Sequence, residues 1–231
     1  MRLVLKVDRH LGYNRTVRKL LHVAGGLPAL LLPWLPYWLA LAAAIAVMWF
    51  GLWLKPRHAW WLRYISKPAD RNRNVITGMR GYCFAILLLI LAWPAMAHLM
   101  GGSAHWLQFG RLGGEAVRYV MFGWMALSFG DGLAGMLGPG PAVARTVPWN
   151  VHKTWWGLLG GILGSCIAFW ICFAMPLPQA TPFPLQSVAW VSALVGVFVG
   201  VLESLDLPVD DNYVVGIGAP LVALLAGLRW L

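Results

Sequence analysis

Long apolar runs separated by short polar turns constrain this chain more than any other feature. Gly81–Met100 and Trp155–Met175 are almost free of charge. Each has about twenty residues, the length an α-helix needs to cross roughly 30 Å of hydrocarbon. In lipid a chain must satisfy its backbone hydrogen bonds internally, so runs like these are expected to be helical. Over the whole chain 60% of residues are hydrophobic and 11% charged, where a soluble domain carries about 25% charged residues. The expected fold class is an all-α integral membrane protein, one polytopic domain over residues 1–231. No stretch is left over for a separate soluble domain. No apolar run with a small-residue cleavage site precedes the first span, so no cleaved signal peptide is expected.

About seven transmembrane helices are expected. The first, Leu20–Leu32, is short and contains Gly25-Gly26 and Pro28. Pro33 and Pro36 separate it from Tyr37–Leu54, so these two form a helical hairpin. The others are Gly81–Met100, Ala116–Leu137, Trp155–Met175, Ser187–Leu202 and Tyr213–Leu231, the last interrupted by Gly216, Gly218 and Pro220. Cys83, Cys166 and Cys172 lie inside these runs without metal-type spacing and read as core residues.

The net charge of +10 is distributed unevenly. Six bases fall in 1–19, seven in 55–80 and two in 138–154, so fifteen of the eighteen lie on one side of a seven-span chain. Basic loops stay cytoplasmic, which places the N-terminus inside and the C-terminus outside. The same clustering argues for contact with anionic membrane lipids rather than nucleic acid. Trp34, Trp38, Trp60, Trp61, Trp155 and Trp156 are expected mostly as interfacial anchors.

Within this frame one stretch stands apart, Gly130-Asp131-Gly132-Leu133-Ala134-Gly135-Met136-Leu137-Gly138. Asp131 is the only acid between Glu115 and Glu203. A carboxylate at bilayer depth costs about 2.5–3.5 kcal/mol, so it needs a cation, a metal or water. The glycines either pack against another helix or make room for a ligand. The expected topology brings this end of the fourth span to the face that carries Lys153 and the acidic loop 203–212. Asp131, Glu203, Asp206, Asp210 and Asp211, with Arg18, Lys19, Lys153, His22 and Asn212, form a set suited to a divalent cation and phosphates together. No P-loop occurs, and His58, His98 and His105 lack zincin spacing.

Four motifs follow in order: Arg18-Lys19-Leu20-Leu21-His22; Gly130-Asp131-x-x-Ala134-x-x-x-Gly138; Lys153-Thr154-x-x-Gly157; and Glu203…Asp210-Asp211-Asn212…Pro220. Together they resemble the family of dolichol kinases, phytol kinases and CTP-dependent diacylglycerol kinases, over about residues 15–225. The resemblance implies phosphoryl transfer from a nucleoside triphosphate, CTP favoured over ATP, to an isoprenoid alcohol or diacylglycerol with Mg²⁺. It implies metal ligands among Asp131, Glu203, Asp210 and Asp211. It implies nucleotide and phosphate contacts from Arg18, Lys19, Gly130, Gly138, Lys153, Thr154 and Asn212, and catalytic roles for Asp131, Lys153 and His22. Asp206 and Asp210 are alternatives to His22 as the base.

Three departures from the family pattern stand out. Trp156 occupies the position of a glutamate, Pro139 that of an arginine, and the interval from Asn212 to Pro220 is long. Phosphatidate cytidylyltransferases also use CTP at a membrane, but their terminal signature is absent. An ion-coupled transporter and a non-catalytic scaffold are the other classes compatible with glycine-interrupted helices and an intramembrane acid. The sequence permits oligomers.

The orientation is directly testable. With the native cysteines replaced, a single cysteine at Arg57 is expected to resist a membrane-impermeant thiol reagent in intact cells, and one at Arg229 to be labelled. Labelling of the first and protection of the second would invert the topology.

Overall fold

The computed structural model describes residues 14–58, 60–100, 115–139, 144–177 and 183–230. The basic stretch before Asn14, the loop with His105 and Arg111, the glycine-proline run at 140–143 and the proline-rich turn at 178–182 lie outside the described residues. The chain is mostly helical, and four helices are long and apolar enough to cross a membrane.

Helix α1 (Arg15–Ala24) starts where the Asn14 side chain accepts from the Val17 amide at 3.0 Å. It stops at Gly25, and a 3-10 segment (Leu27–Trp34) with Pro28 near its start and Pro33 inside carries the chain onward. The expected first span is thus not one helix. Paired glycines and a proline break it, because proline lacks the amide that an α-helix would use. α1 is also inverted in polarity. Val17, Leu20 and Leu21 are exposed, while Lys19 and His22 are turned inward. An outward apolar face suits lipid, and the inward bases need acids.

Helix α2 (Tyr37–Trp53) follows Pro36. The basic connection is partly ordered into α3 (Trp60–Ile65) and α4 (Pro68–Arg73), which ends at Asn74 in the left-handed conformation (φ 50°). Helix α5 (Thr77–Leu99) begins four residues ahead of the expected start at Gly81. Helix α6 (Ala116–Leu137) leads to a small antiparallel hairpin of β1 (Thr146–Val147) and β2 (Asn150–Thr154). This hairpin corrects the purely helical expectation. A Pro148-Trp149 turn with valines on both arms favours a strand pair. Thr154 then caps α7 (Trp155–Ala174), its hydroxyl accepting from the Gly157 amide at 3.2 Å. Helices α8 (Leu185–Ser204) and α9 (Asp211–Trp230) complete the chain. The four helices of membrane-crossing length are α5 to α8, and the apolar α2 and the stretch Asp211–Gly227 are shorter.

Helix α6 is the axis. It is buried along most of its length and packs against α1, α5, α7 and α9. Between lipid-facing helices no hydrophobic effect drives association, so close backbone approach and polar contacts must do it. A Cβ on Gly160 would sit 2.6 Å from the Leu133 carbonyl oxygen, and one on Gly164 would collide with the Phe129 carbonyl. Gly200 meets Ile162 in the same way, so α6, α7 and α8 touch backbone to backbone. At the far end Arg118 is fully buried. It donates to the carbonyls of Cys172 and Met175, each at 2.8 Å, and closes the C-terminus of α7. Nearby, Phe122, Phe169 and Phe173 pack as an aromatic cluster. All three cysteines are free thiols; Cys83 and Cys172 are buried, as expected of core residues, whereas Cys166 is only partly buried.

Replacing Gly160 with alanine pushes a methyl into a backbone that cannot rotate away. The expected loss is about 1–3 kcal/mol, read by thermal unfolding in detergent. Gly218→Ala, which meets only the end of the Leu202 side chain at 3.1 Å, should cost much less. Equal losses would remove backbone contact as the cause.

Candidate functional site

Two ion-pair clusters lie at the end of the bundle where α6 finishes and α7 begins. In the first, Lys19 Nζ of α1 donates to Asp131 Oδ2 at 2.7 Å and to the Asp131 carbonyl at 3.0 Å. His22 Nε2 stands 3.2 Å from the same Oδ2 and 3.2 Å from the Leu127 carbonyl oxygen. With two oxygen acceptors before it, Nε2 carries the proton, which leaves Nδ1 as the basic atom of this ring. One helical turn separates Lys19 from His22, so both reach the same carboxylate. Arg15 ties the start of α1 to the end of α6, donating to the Gly138 carbonyl at 2.8 Å.

In the second cluster Lys153, on β2, bridges two acids. Its Nζ is 2.5 Å from Glu203 Oε1 and 2.9 Å from Asp211 Oδ2. Glu203 ends α8 and is 3% exposed, whereas Asp211 opens α9 and is exposed. Burial opposes the Lys153 charge, but Glu203 and Asp211 outweigh it and hold the ammonium above the usual lysine range. Its stabilising contribution is therefore complete below the normal lysine pKa and is lost only as pH rises through the raised value. The two clusters are electrostatically joined, since the charge of Asp131 acts on both Lys153 and Glu203. Glu203 Oε2, buried and facing Gly161, has no partner among the described residues.

Other expected site residues sit elsewhere. Arg18 diverges from Lys19 and lies 3.8 Å from Asp70, across Gly78. Consecutive residues on a helix point about 100° apart, so the two bases cannot share one ligand easily. Asp210 and Asn212 bind each other, with the Asn212 amide nitrogens 2.9 Å (main chain) and 2.5 Å (side chain) from Asp210 Oδ1. Asp206 is exposed in the same loop. Thr154 is spent as a helix cap. Gly132 and Gly135 are covered by Val23 and Lys19, Gly130 faces Ser165, and Gly138 faces Gly157 and Thr154. The glycines of the Gly130–Gly138 stretch thus serve helix packing. Among the described residues no three His, Cys, Asp or Glu side chains converge as a cation cage. The expected quartet Asp131, Glu203, Asp210 and Asp211 is divided, because separate lysines claim Asp131 and Glu203, and Asp210 serves its own loop.

Two groups escaped the sequence reading. Asp70, buried, receives the Lys67 amide at 3.3 Å and the Thr77 amide and hydroxyl at 3.2 and 3.0 Å. Pro68 followed by Asp70 is a legible helix-start signal. Tyr82, Ser128 and Trp124 form a chain that ends on the Gly25 carbonyl: Tyr82–Ser128 2.7 Å, Trp124 Nε1 to Tyr82 2.9 Å and to Gly25 3.0 Å. Nothing in the spacing of these residues announces it. The Tyr82 ring also packs against His22 at 4.7 Å. Trp156 is 58% exposed. Comparison with family models, with curated proteins and with solved structures finds no match.

Asp131→Asn leaves the inward Lys19 without its counter-charge and weakens the acceptor of His22 Nε2, and is expected to cost about 1–3 kcal/mol, measured by thermal unfolding in detergent. Adding Lys19→Met should recover part of that loss. Strict additivity of the two losses would show that the pair does not act as a unit.

Proposed function

We propose that this protein is a membrane-embedded lipid-alcohol kinase, transferring a phosphoryl group from a nucleoside triphosphate, CTP favoured, to an isoprenoid alcohol or diacylglycerol. One observation carries the reading. Lys19, His22 and Asp131 lie electrostatically beside Lys153, Glu203 and Asp211, at the end of helices of membrane-crossing length. Such a juxtaposition suits an acceptor that stays in the bilayer and a donor that arrives from water. It is also compatible with the seven-span, N-inside topology and a site on the cytoplasmic face of the cell membrane.

In this reading Lys153, a fixed cation, and Lys19 bind phosphate oxygens and offset charge in the transition state. The lipid oxygen forms a bond to the γ-phosphorus as the bond to the β-phosphate oxygen breaks, and nucleoside diphosphate leaves. The hydroxyl proton passes to His22 Nδ1, while Asp131 holds the ring through Nε2. Glu203 Oε2, without a partner among the described residues, is an oxygen donor of the kind Mg²⁺ takes. Glu203 would contact that ion through Oε2, and the ion's charge would polarise the phosphoryl oxygens. Exposed aromatic and aliphatic side chains such as Leu20, Leu21 and Trp156 leave an apolar flank for the acceptor's tail.

Purified protein with Mg²⁺, labelled CTP or ATP and a panel of polyprenols, phytol-like alcohols and diacylglycerols tests the proposal. Label is expected in a lipid product, and Lys153→Met should reduce turnover by about a hundredfold or more, as loss of an electrostatic stabiliser does. Absence of any lipid product under conditions where a known lipid kinase works would overturn it. An ion-coupled transporter is the second reading, favoured by the break at Gly25-Gly26 beside the Tyr82–Ser128–Trp124 chain. Asp131-dependent ion flux in liposomes without nucleotide would decide for it.

A further inference from the structure

Helix α1 is held to the bundle by polar contacts more than by apolar burial. None of its ten residues is fully buried, and Val17, Leu20 and Leu21 are exposed. On its inner side Arg15 donates to the Gly138 carbonyl at 2.8 Å and Lys19 to Asp131 at 2.7 Å. His22 Nε2 stands 3.2 Å from Asp131 Oδ2 and 3.2 Å from the Leu127 carbonyl oxygen. Arg18 Nη1 lies 3.8 Å from Asp70 Oδ2, is buried and makes no hydrogen bond among the described residues. In the seam between α1 and α6, Val23 covers Gly132 and the Lys19 stem covers Gly135. α1 also touches α3.

The C-terminal end of α1 is pinned. Trp124 Nε1 donates to the Gly25 carbonyl at 3.0 Å. Tyr82 Oη stands against Gly25, and a Cβ on Gly26 would collide with Ser128. Paired glycines at a pinned point, followed by a 3-10 segment, make a pivot. Rotation of α1 about it carries Val17, Leu20 and Leu21 through lipid, where moving apolar surface gains or loses little. The polar contacts resist that rotation, and they are exchangeable. A phosphate group offers Arg15, Arg18 and Lys19 new acceptors in place of a carbonyl and two carboxylates.

We propose that α1 is a gate over the Asp131 cluster, released by phosphate-bearing ligands, and that its opening admits an amphiphile from the bilayer through the α1–α6 seam. As Lys19 leaves Asp131 for the phosphate, the amphiphile's polar head reaches Asp131 and His22. Its tail stays in lipid beside α1. The identity of that amphiphile as a lipid alcohol rests on the kinase reading; the movement of α1 does not.

A disulfide reads the closed position. A Cβ on Gly132 would lie 3.6 Å from Val23 Cβ, inside the roughly 3.5–4.5 Å of natural disulfides. Val23→Cys with Gly132→Cys, in the full chain in detergent with the native cysteines replaced, is expected to crosslink under mild oxidation. Inorganic pyrophosphate should slow that crosslinking about tenfold by shifting α1 to the open position. Sodium chloride at equal ionic strength should not. An unchanged rate with pyrophosphate would overturn the gate. So would an equal slowing by sodium chloride, which would mean charge screening alone. If the double variant fails to fold, spin labels at the exposed Val17 and Leu163 take its place. A second distance between them is expected on adding pyrophosphate, and a single distance throughout would overturn the gate. Lipid phosphorylation at full rate by the crosslinked protein would overturn the gate and leave the kinase reading standing. Pyrophosphate-dependent opening without any lipid product would support the gate and remove the kinase reading.

Discussion

The backbone contact between α6 and α7 is the constraint on which the rest of the structure depends. Where Gly160 meets the Leu133 carbonyl and Gly164 meets the Phe129 carbonyl, the two helices approach more closely than any side chain would allow. Gly200 extends the same contact to α8. Helices surrounded by lipid gain nothing from burying leucine against leucine, so dispersion at short range and polar contacts must hold them. The glycines supply the first, and Arg118 on the carbonyls of Cys172 and Phe173 in α7 and of Met175 just beyond it supplies part of the second. This close pair also brings the end of α6 beside β2 and the start of α7, which is why Asp131 and Lys153 fall within each other's field.

Charge is organised with the same economy. Among the described residues four inward cations are matched to acids: Lys19 to Asp131, Lys153 to Glu203 and Asp211, Arg18 to Asp70, Arg118 to Glu115. Pairs of this kind add little to net stability, because desolvation offsets attraction. They matter for register. α1 has its hydrophobic side exposed, so the Lys19 and His22 contacts to Asp131, the His22 contact to the Leu127 carbonyl, the Arg15 contact to Gly138 and the packing of Val23 and Lys19 on Gly132 and Gly135 orient it on α6. A phosphate group entering such a place would compete with carboxylates for lysines that are already held in position.

Much of the fold was legible in the sequence, because the crossing length of a bilayer and the absence of charge act locally. The runs beginning at Ala116 and Trp155 became helices with the expected starts, and Ser187–Leu202 became the middle of a slightly longer one. The β-hairpin and the break at Gly25-Gly26 were less legible. A two-stranded pair of this size depends on its contact with the Ser204 end of α8, through Trp149 and Asn150. The site was legible in its composition, not in its pairing. Lys19, His22, Asp131, Lys153, Glu203 and Asp211 were all candidates, but so were Arg18, Asp210, Asn212 and Thr154, and those four serve other contacts. A one-residue step along α1 separates Lys19 from Arg18, and only packing tells which of them faces α6.

The sequence by itself determined that this chain forms long apolar helices with basic connections, since helix formation and charge placement follow from residues close together along the chain. Tertiary structure alone decided what the Gly130–Gly138 stretch is for. A glycine leaves space that either a ligand or another helix can fill, and nothing local distinguishes them. In the folded chain Val23, Lys19, Ser165 and Gly157 fill it. What is left beside Asp131 is therefore a pair of held lysines and one buried glutamate oxygen, contributed by segments far apart in sequence and joined only by helix packing.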